Sequence, residues 1–170
     1  MAGDHTGGAA QRDAAVARAR DKAEGALFRD GLSQLVSQPT DASAPDAGNV
    51  LSDYLDHLVD EFGQDGFTTL RHSIDGHPFL IARRIEDPAL PTILGYAHGD
   101  TVPAMHGRWR EGREPWQLTE APSEGRLYGR GIADNKGQFW INLNAMRAVR
   151  ETRGRLGFNA IWLVEMGEEI

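Results

Sequence analysis

TILGYAHGD (residues 92–100) and FNAIWLVEMGEE (residues 158–169) decide the fold. Each is a short apolar run with strand composition that ends on ionisable residues: His98 and Asp100 after the first, Glu165, Glu168 and Glu169 after the second. Between them a helix is expected over Lys136 to about Thr152, because Phe139, Leu143, Met146 and Val149 recur at helical spacing and Gly154 suits its end. Strand, helix and strand in that order form the crossover unit of a parallel sheet, and in such sheets ligands bind beyond the carboxyl ends of the strands. The near-continuous apolar run Phe158–Val164 is expected to be buried on both faces.

Upstream, Phe67–Ile74 and His77–Ile85 flank Asp75-Gly76, the strongest short hairpin signal. Before the hairpin, Leu51, Tyr54, Leu55, Leu58, Val59 and Phe62 make one apolar helical stripe. An earlier helix is expected over about Gln11 to Val36, weakened by Gly25 and Gly31. Pro39 and Pro45 mark a loop between the two helices, and residues 1–10 are small and polar, expected as a disordered tail. Residues 100–131 form a long polar stretch, and loops of that length are usually functional. The fold class is therefore α/β with a mostly parallel central sheet.

Composition narrows the function. The 170 residues carry a net charge of −7, which argues against nucleic acid as the main partner. With no cysteine, a metal here must sit on His, Asp or Glu. No apolar run approaches the ~20 residues of a membrane span, so the expected setting is cytoplasmic, with no membrane partner.

Three blocks converge on one sheet edge: His98 and Asp100, Asp134 before the crossover helix, and Glu168 with Glu169. Taken singly, each has a plain structural reading: a hydrogen-bonded histidine, a helix N-cap, a solvated acidic turn. Taken together, carboxylates gathered beside a histidine repel one another, and a divalent cation relieves that repulsion. The His-x-Asp pair also opens the facial triad of non-haem iron oxygenases, but only His106 follows His98, and the helix-rich pattern does not suit that fold. Arg108, Arg110 and Arg113 in the long loop read first as a solvated basic loop, and second as partners for a substrate carboxylate.

At these residues the chain resembles the two-zinc metallopeptidase family of aminoacylase, acetylornithine deacetylase, succinyl-diaminopimelate desuccinylase, carnosinase-type dipeptidases and carboxypeptidase G. The resemblance rests on GYAHGDTVP (95–103), LYGRGIADNKG (127–137) and EMGEE (165–169), in that order, and extends to the Trp116 region. The early helices match in pattern only. The resemblance implies the first part of a three-layer catalytic domain and two divalent metal ions, zinc first, with manganese or cobalt as alternatives. It implies His98 on one metal, Asp134 bridging both, Glu169 on the other, Asp100 orienting His98, and Glu168 as the general base acting on a metal-bridging water. It further implies a cis peptide after Asp134, and a small peptide or N-acyl amino acid as substrate. Asn135 stands where many members have a second Asp, a feature shared with some dipeptidase-like relatives. The family's remaining acidic ligand, its second His and its lid domain, which often mediates homodimerisation, lie in sequence beyond residue 170. On this reading residues 11–170 are the N-terminal portion of the catalytic domain and are inactive alone. The alternative is a non-catalytic interaction or structural remnant of the same fold.

Overall fold

The computed structural model describes residues 5–170. Helices α1 (His5–Glu24), α2 (Ala26–Ser37) and α3 (Ala47–Gln64) precede strands β1 (Thr68–Ile74), β2 (His77–Arg84) and β3 (Thr92–His98). A small hairpin, β4 (Thr119–Ala121) and β5 (Arg126–Tyr128), leads to α4 (Lys136–Arg153) and β6 (Asn159–Glu165). No helix among the described residues is long and apolar enough to cross a membrane.

The main sheet has the order β1-β2-β6-β3. Only β3 and β6 run parallel; β1–β2 and β2–β6 are antiparallel. The expectation of a mostly parallel sheet is therefore corrected to a mixed sheet, with the α/β class intact. The cause is local. Asp75 and Gly76 both take positive φ, 51° and 88°, as a two-residue hairpin turn requires, so β2 must return antiparallel to β1. The crossover strand β6 then inserts between β2 and β3.

Alternation along β6 points Ala160, Trp162 and Val164 at the helices, where they are buried with Leu80 and Ala82 of β2. Leu55, Leu58 and Phe62 of α3, Phe139 and Leu143 of α4, and Leu35 and Val36 of α2 close this core. Phe62, Phe139 and Trp162 meet with ring centroids 5.6 to 6.2 Å apart. Ile161 and Leu163 face the opposite side and are only half-buried, so β6 is covered on one face rather than both. On that open face the register places exposed Leu94 beside Ile161, and exposed Leu70 and Tyr96 flank the Ile81–Leu163 pair.

Two further expectations change. The single helix over 11–36 is two helices, because the chain turns extended at Gly25 (φ −77°, ψ 154°). The disordered tail expected over 1–10 is corrected for residues 5–10, which form the first turns of α1; residues 1–4 lie outside the described residues. What holds α1 is packing on α4: Ala15 is buried, and Arg18 and Lys22 both reach Glu151, at 2.6 and 2.5 Å. The long loop is not featureless either, since β4 and β5 fold its second half.

Gly31 does not break α2, because Trp140 fills the space where its side chain would be. A Cβ there would lie 2.2 Å from Trp140 Cζ2. The Trp140 indole is further fixed by donating to the carbonyl of Phe28 at 2.8 Å. Gly31→Ala gains about 1 kcal/mol of helix propensity, but overpacking costs typically about 1–3 kcal/mol. The clash should win, and urea unfolding is expected to show a lower midpoint with an unchanged slope.

At the end of the sheet opposite His98, Glu86 accepts the backbone N–H groups of Leu156 (2.8 Å) and Gly157 (2.9 Å) and pairs with Arg84 at 3.3 Å. Burial raises the Glu86 carboxyl, but these donors outweigh it and hold the group below its ordinary value of 4.5. A carboxylate whose folded pKa is lowered stabilises the fold above its unfolded pKa and loses that contribution as pH falls through the folded one. Glu86→Gln is therefore expected to lower stability at neutral pH, and the gap from the parent should close below about pH 4, in thermal melts across that range.

Candidate metal centre

His98 is the last residue of β3, and parallel pairing sets it opposite Glu165 of β6. The pairing extends one step, with Gly99 N–H donating to the Glu165 carbonyl at 2.9 Å. Both strands therefore stop at the same level, and the residues after them, Asp100 and Glu168-Glu169, leave side by side. Asp100 closes the gap: its Oδ2 accepts the backbone N–H of Glu169 at 2.9 Å.

The imidazole of His98 is buried at 3% exposure and its two nitrogens face different partners. Nδ1 lies 3.2 Å from the Asp100 carbonyl and 3.4 Å from its Oδ1. Nε2 lies 3.0 Å from Asp134 Oδ1 and 3.9 Å from Glu168 Oε2. His98, Glu168 and Glu169 each offer a ligand atom within 4.8 Å of the others. Asp134 reaches this group through His98. Its side chain is 67% exposed and that of Glu168 48%, so the cluster opens to solvent on one side and rests on buried Asp100 on the other.

All five residues singled out from sequence are thus brought together. Asp134 is not the N-cap of α4; that position is Asn135, and its side chain makes no capping bond. The Asp134-Asn135 peptide is cis, as the resemblance implied. Gly137 lets the segment fold back: a Cβ there would sit 2.1 Å from the carbonyl oxygen of Ile132.

The charges report crowding. Burial works against a charged His98, yet Asp100 and Asp134 outweigh it and lift its pKa to about 9. Burial likewise opposes ionisation of Asp100, but His98 and the N–H groups of Glu169 and Glu168 keep it below the usual carboxylate range. Glu169 is raised, by burial and by the carboxylates of Glu168, Asp134 and Asp100, with His98 as the opposing charge.

These residues fit a divalent cation. Two atoms each ~2.0–2.1 Å from one tetrahedral zinc stand ~3.3 Å apart, close to the 3.0 Å between His98 Nε2 and Asp134 Oδ1. A hard or borderline cation takes imidazole and carboxylate donors, the set present here. Glu168 and Glu169 both lie within reach of His98.

Arg108, Arg110 and Arg113 of the basic loop line one open cavity together with Arg126 and Arg130. Arg113 pairs with Glu124 at 2.8 Å and stacks on Tyr128, while Arg108 and Arg110 are exposed. Sequence reasoning passed over two buried residues beside the site, Thr40 and Lys136. Lys136 was legible, because a cation in the first turn of a helix opposes the helix dipole and needs another reason to be there. Thr40, in a loop, carried no signal.

The family model for Peptidase family M20/M25/M40 matches residues 94–170. The chain is 32% identical over 147 residues to a cysteinylglycine-S-conjugate dipeptidase of Corynebacterium striatum, covering 85% of this chain and 31% of that protein. It is 38% identical over 93 residues to the Beta-Ala-His dipeptidase of Mus musculus, covering 54% of this chain and 18% of that protein. Among solved structures it is similar to human carnosine dipeptidase 1, with TM-score 0.73 and 28% identity, over 82% of this chain and 31% of that one. The dipeptidase Dug1p of Saccharomyces cerevisiae superposes with TM-score 0.77 over 90% of this chain and 34% of its own, at 19% identity, a likeness of fold. The chain spans less than a third of the length of the curated relatives.

Gly137→Ala is expected to lower stability by about 1–3 kcal/mol, because a backbone carbonyl cannot move aside as a flexible side chain can. Denaturant titration checks this, with Gly48→Ala as the contrasting glycine, in the first turn of α3, whose Cβ meets no neighbour.

Proposed function

We propose, starting from residues 94–170 as a Peptidase family M20/M25/M40 domain, that this chain supplies one half of the metal centre of an amide-bond hydrolase acting on dipeptide-sized substrates. The carrying observation is the convergence of His98, Asp134, Glu168 and Glu169 on one solvent-open point above buried Asp100. The dipeptidase names of the relatives favour a small peptide over an N-acyl amino acid.

In this reading His98, Asp134 and Glu169 would hold divalent metal, two ions with zinc foremost and manganese or cobalt as alternatives. Bound metal would polarise the scissile carbonyl and lower the pKa of water. The chain's own residues do the rest. Asp100 fixes the ring of His98 from the Nδ1 side and leaves Nε2 free to bind, a supporting role on which metal affinity depends. Glu168, the more exposed carboxylate, takes a proton from the attacking water at its carboxylate oxygen and returns it to the leaving amine. The resemblance calls for two further ligands that the cluster does not itself supply, so the cluster alone is not expected to turn over substrate. A non-catalytic remnant of the fold is the competing reading; the gathering of His98, Glu168 and Glu169 within ligand distance of one another favours the hydrolase.

Glu168 and Glu169 should respond differently to substitution. In the intact protein, Glu169→Ala is expected to lower metal content. Glu168→Gln should keep the metal and lose about 100- to 10,000-fold in rate, because the amide fills the space without accepting a proton. Metal analysis with dipeptide hydrolysis assays checks both; equal metal loss in the two variants would reverse the assignment.

A further inference from the structure

Short loop geometry joins two parts of the cluster, the His98–Asp100 turn and the Asp134 loop, from behind. The segment between α2 and α3, Gln38 to Asp41, touches both of them. Thr40 is fully buried, and its hydroxyl donates to the carbonyl of Gly99 at 2.6 Å. Its own carbonyl accepts the N–H of Thr101 at 2.9 Å, and Asp41 bridges to Thr101 in parallel fashion. Thr40 thus grips the His98–Thr101 turn from both sides of Asp100.

The same segment holds the other part through Lys136. This lysine is fully buried, two positions after Asp134, and the contacts found for it include no carboxylate. Its ammonium donates to the carbonyls of Leu35 (2.9 Å) and Gln38 (2.7 Å), at the end of α2 where helix carbonyls lack partners. The rings of Tyr54 and Trp116 flank it at 5.1 and 5.5 Å. Gly131 presses against both partners: a Cβ there would lie 2.9 Å from Lys136 Cδ and 3.2 Å from Thr101 Cγ2. A buried ammonium is costly without strong acceptors, and those used here belong to one short stretch, residues 35–38.

We propose that Thr40 and Lys136 are positioning residues, and that residues 35–41 act as a gauge fixing the separation of His98 from Asp134. The inference rests on the metal-centre reading of those two residues. The logic is mechanical. His98 hangs from β3 and Asp134 from the loop before α4, and no strand pairing links those two turns. The α2 end is bonded to both; the other ties between them are the Arg130 side chain on the Pro103 carbonyl at 2.9 Å and the 3.0 Å approach of Nε2 to Asp134 itself, and that approach is what the α2 end gauges. Groups that hold metal ligands in place typically cost about 10- to 100-fold in metal affinity when removed.

The test measures zinc affinity of the intact protein by chelator competition, with thermal melts of the metal-free form beside it. Thr40→Val keeps the shape and deletes the donor; Thr40→Ser restores the donor. Lys136→Met keeps the stem and deletes the charge. Glu86→Gln, destabilised at the far end of the sheet, controls for stability alone, and His98→Ala controls for the centre itself. Expected are zinc affinities at least about tenfold weaker for Thr40→Val and Lys136→Met, near-parent affinity for Thr40→Ser, and parent affinity for Glu86→Gln. Parent affinity in Thr40→Val and Lys136→Met, or equal loss in Glu86→Gln, overturns the gauge. Failure of both Thr40→Val and Lys136→Met to fold also overturns it, because the contacts would then serve the fold rather than the spacing. Unchanged zinc binding in His98→Ala instead overturns the metal-centre reading.

Discussion

Parallel pairing of β3 with β6 in a single register is the constraint on which the rest depends. Because His98 stands opposite Glu165, the turn after each strand begins at the same height, and Asp100 meets the backbone of Glu169. A slip of one residue would turn His98 to the other face of the sheet, since side chains alternate. Such a slip is opposed by the buried row Ala160, Trp162 and Val164, which would exchange places with half-exposed Ile161 and Leu163. The apolar core thus specifies the register, and the register specifies the position of the histidine.

Asp100 is the pivot between that scaffold and the charges it carries. One of its oxygens is spent on the backbone of Glu169 and the other faces the His98 ring. Buried and held ionised by these donors, it presents a fixed negative charge beneath a group of more exposed ones. The carboxylates of Asp134, Glu168 and Glu169 gather above it around a single imidazole. Glu169 is already pushed toward its protonated form, as expected where like charges share a site. Lys136 makes no ion pair with them: its ammonium is turned toward carbonyls of the α2 end, and burial lowers its pKa to about 7 against the opposing charge of Asp100.

Much of this was legible in the sequence because the signals were local. The Asp75-Gly76 turn, the α3 stripe, the α4 stripe and the two strands that end on ionisable residues all report periodicity or turn chemistry within a few residues. The five clustered side chains followed from one rule, that strand ends in a parallel crossover unit share an edge. What escaped depends on partners distant in sequence. β6 joins antiparallel β2 as well as parallel β3, and no local pattern says which neighbour a central strand takes. Gly31 reads as a helix weakener until Trp140, more than a hundred residues away, is seen occupying its place. Thr40 is an unremarkable loop residue until its hydroxyl is found on the Gly99 carbonyl.

The open sheet face completes the physical picture. Leu94, Tyr96 and Leu70 are exposed beside half-buried Ile161 and Leu163, whereas the opposite face is sealed by α2, α3 and α4. The His98 cluster is asymmetric in the same way: the imidazole is buried against Asp100, while Asp134 and Glu168 stand exposed above it. The apolar face of β3 and β6 and the acidic rim beyond their carboxyl ends thus meet at His98, whose backbone belongs to the sheet pairing and whose ring belongs to the charged cluster.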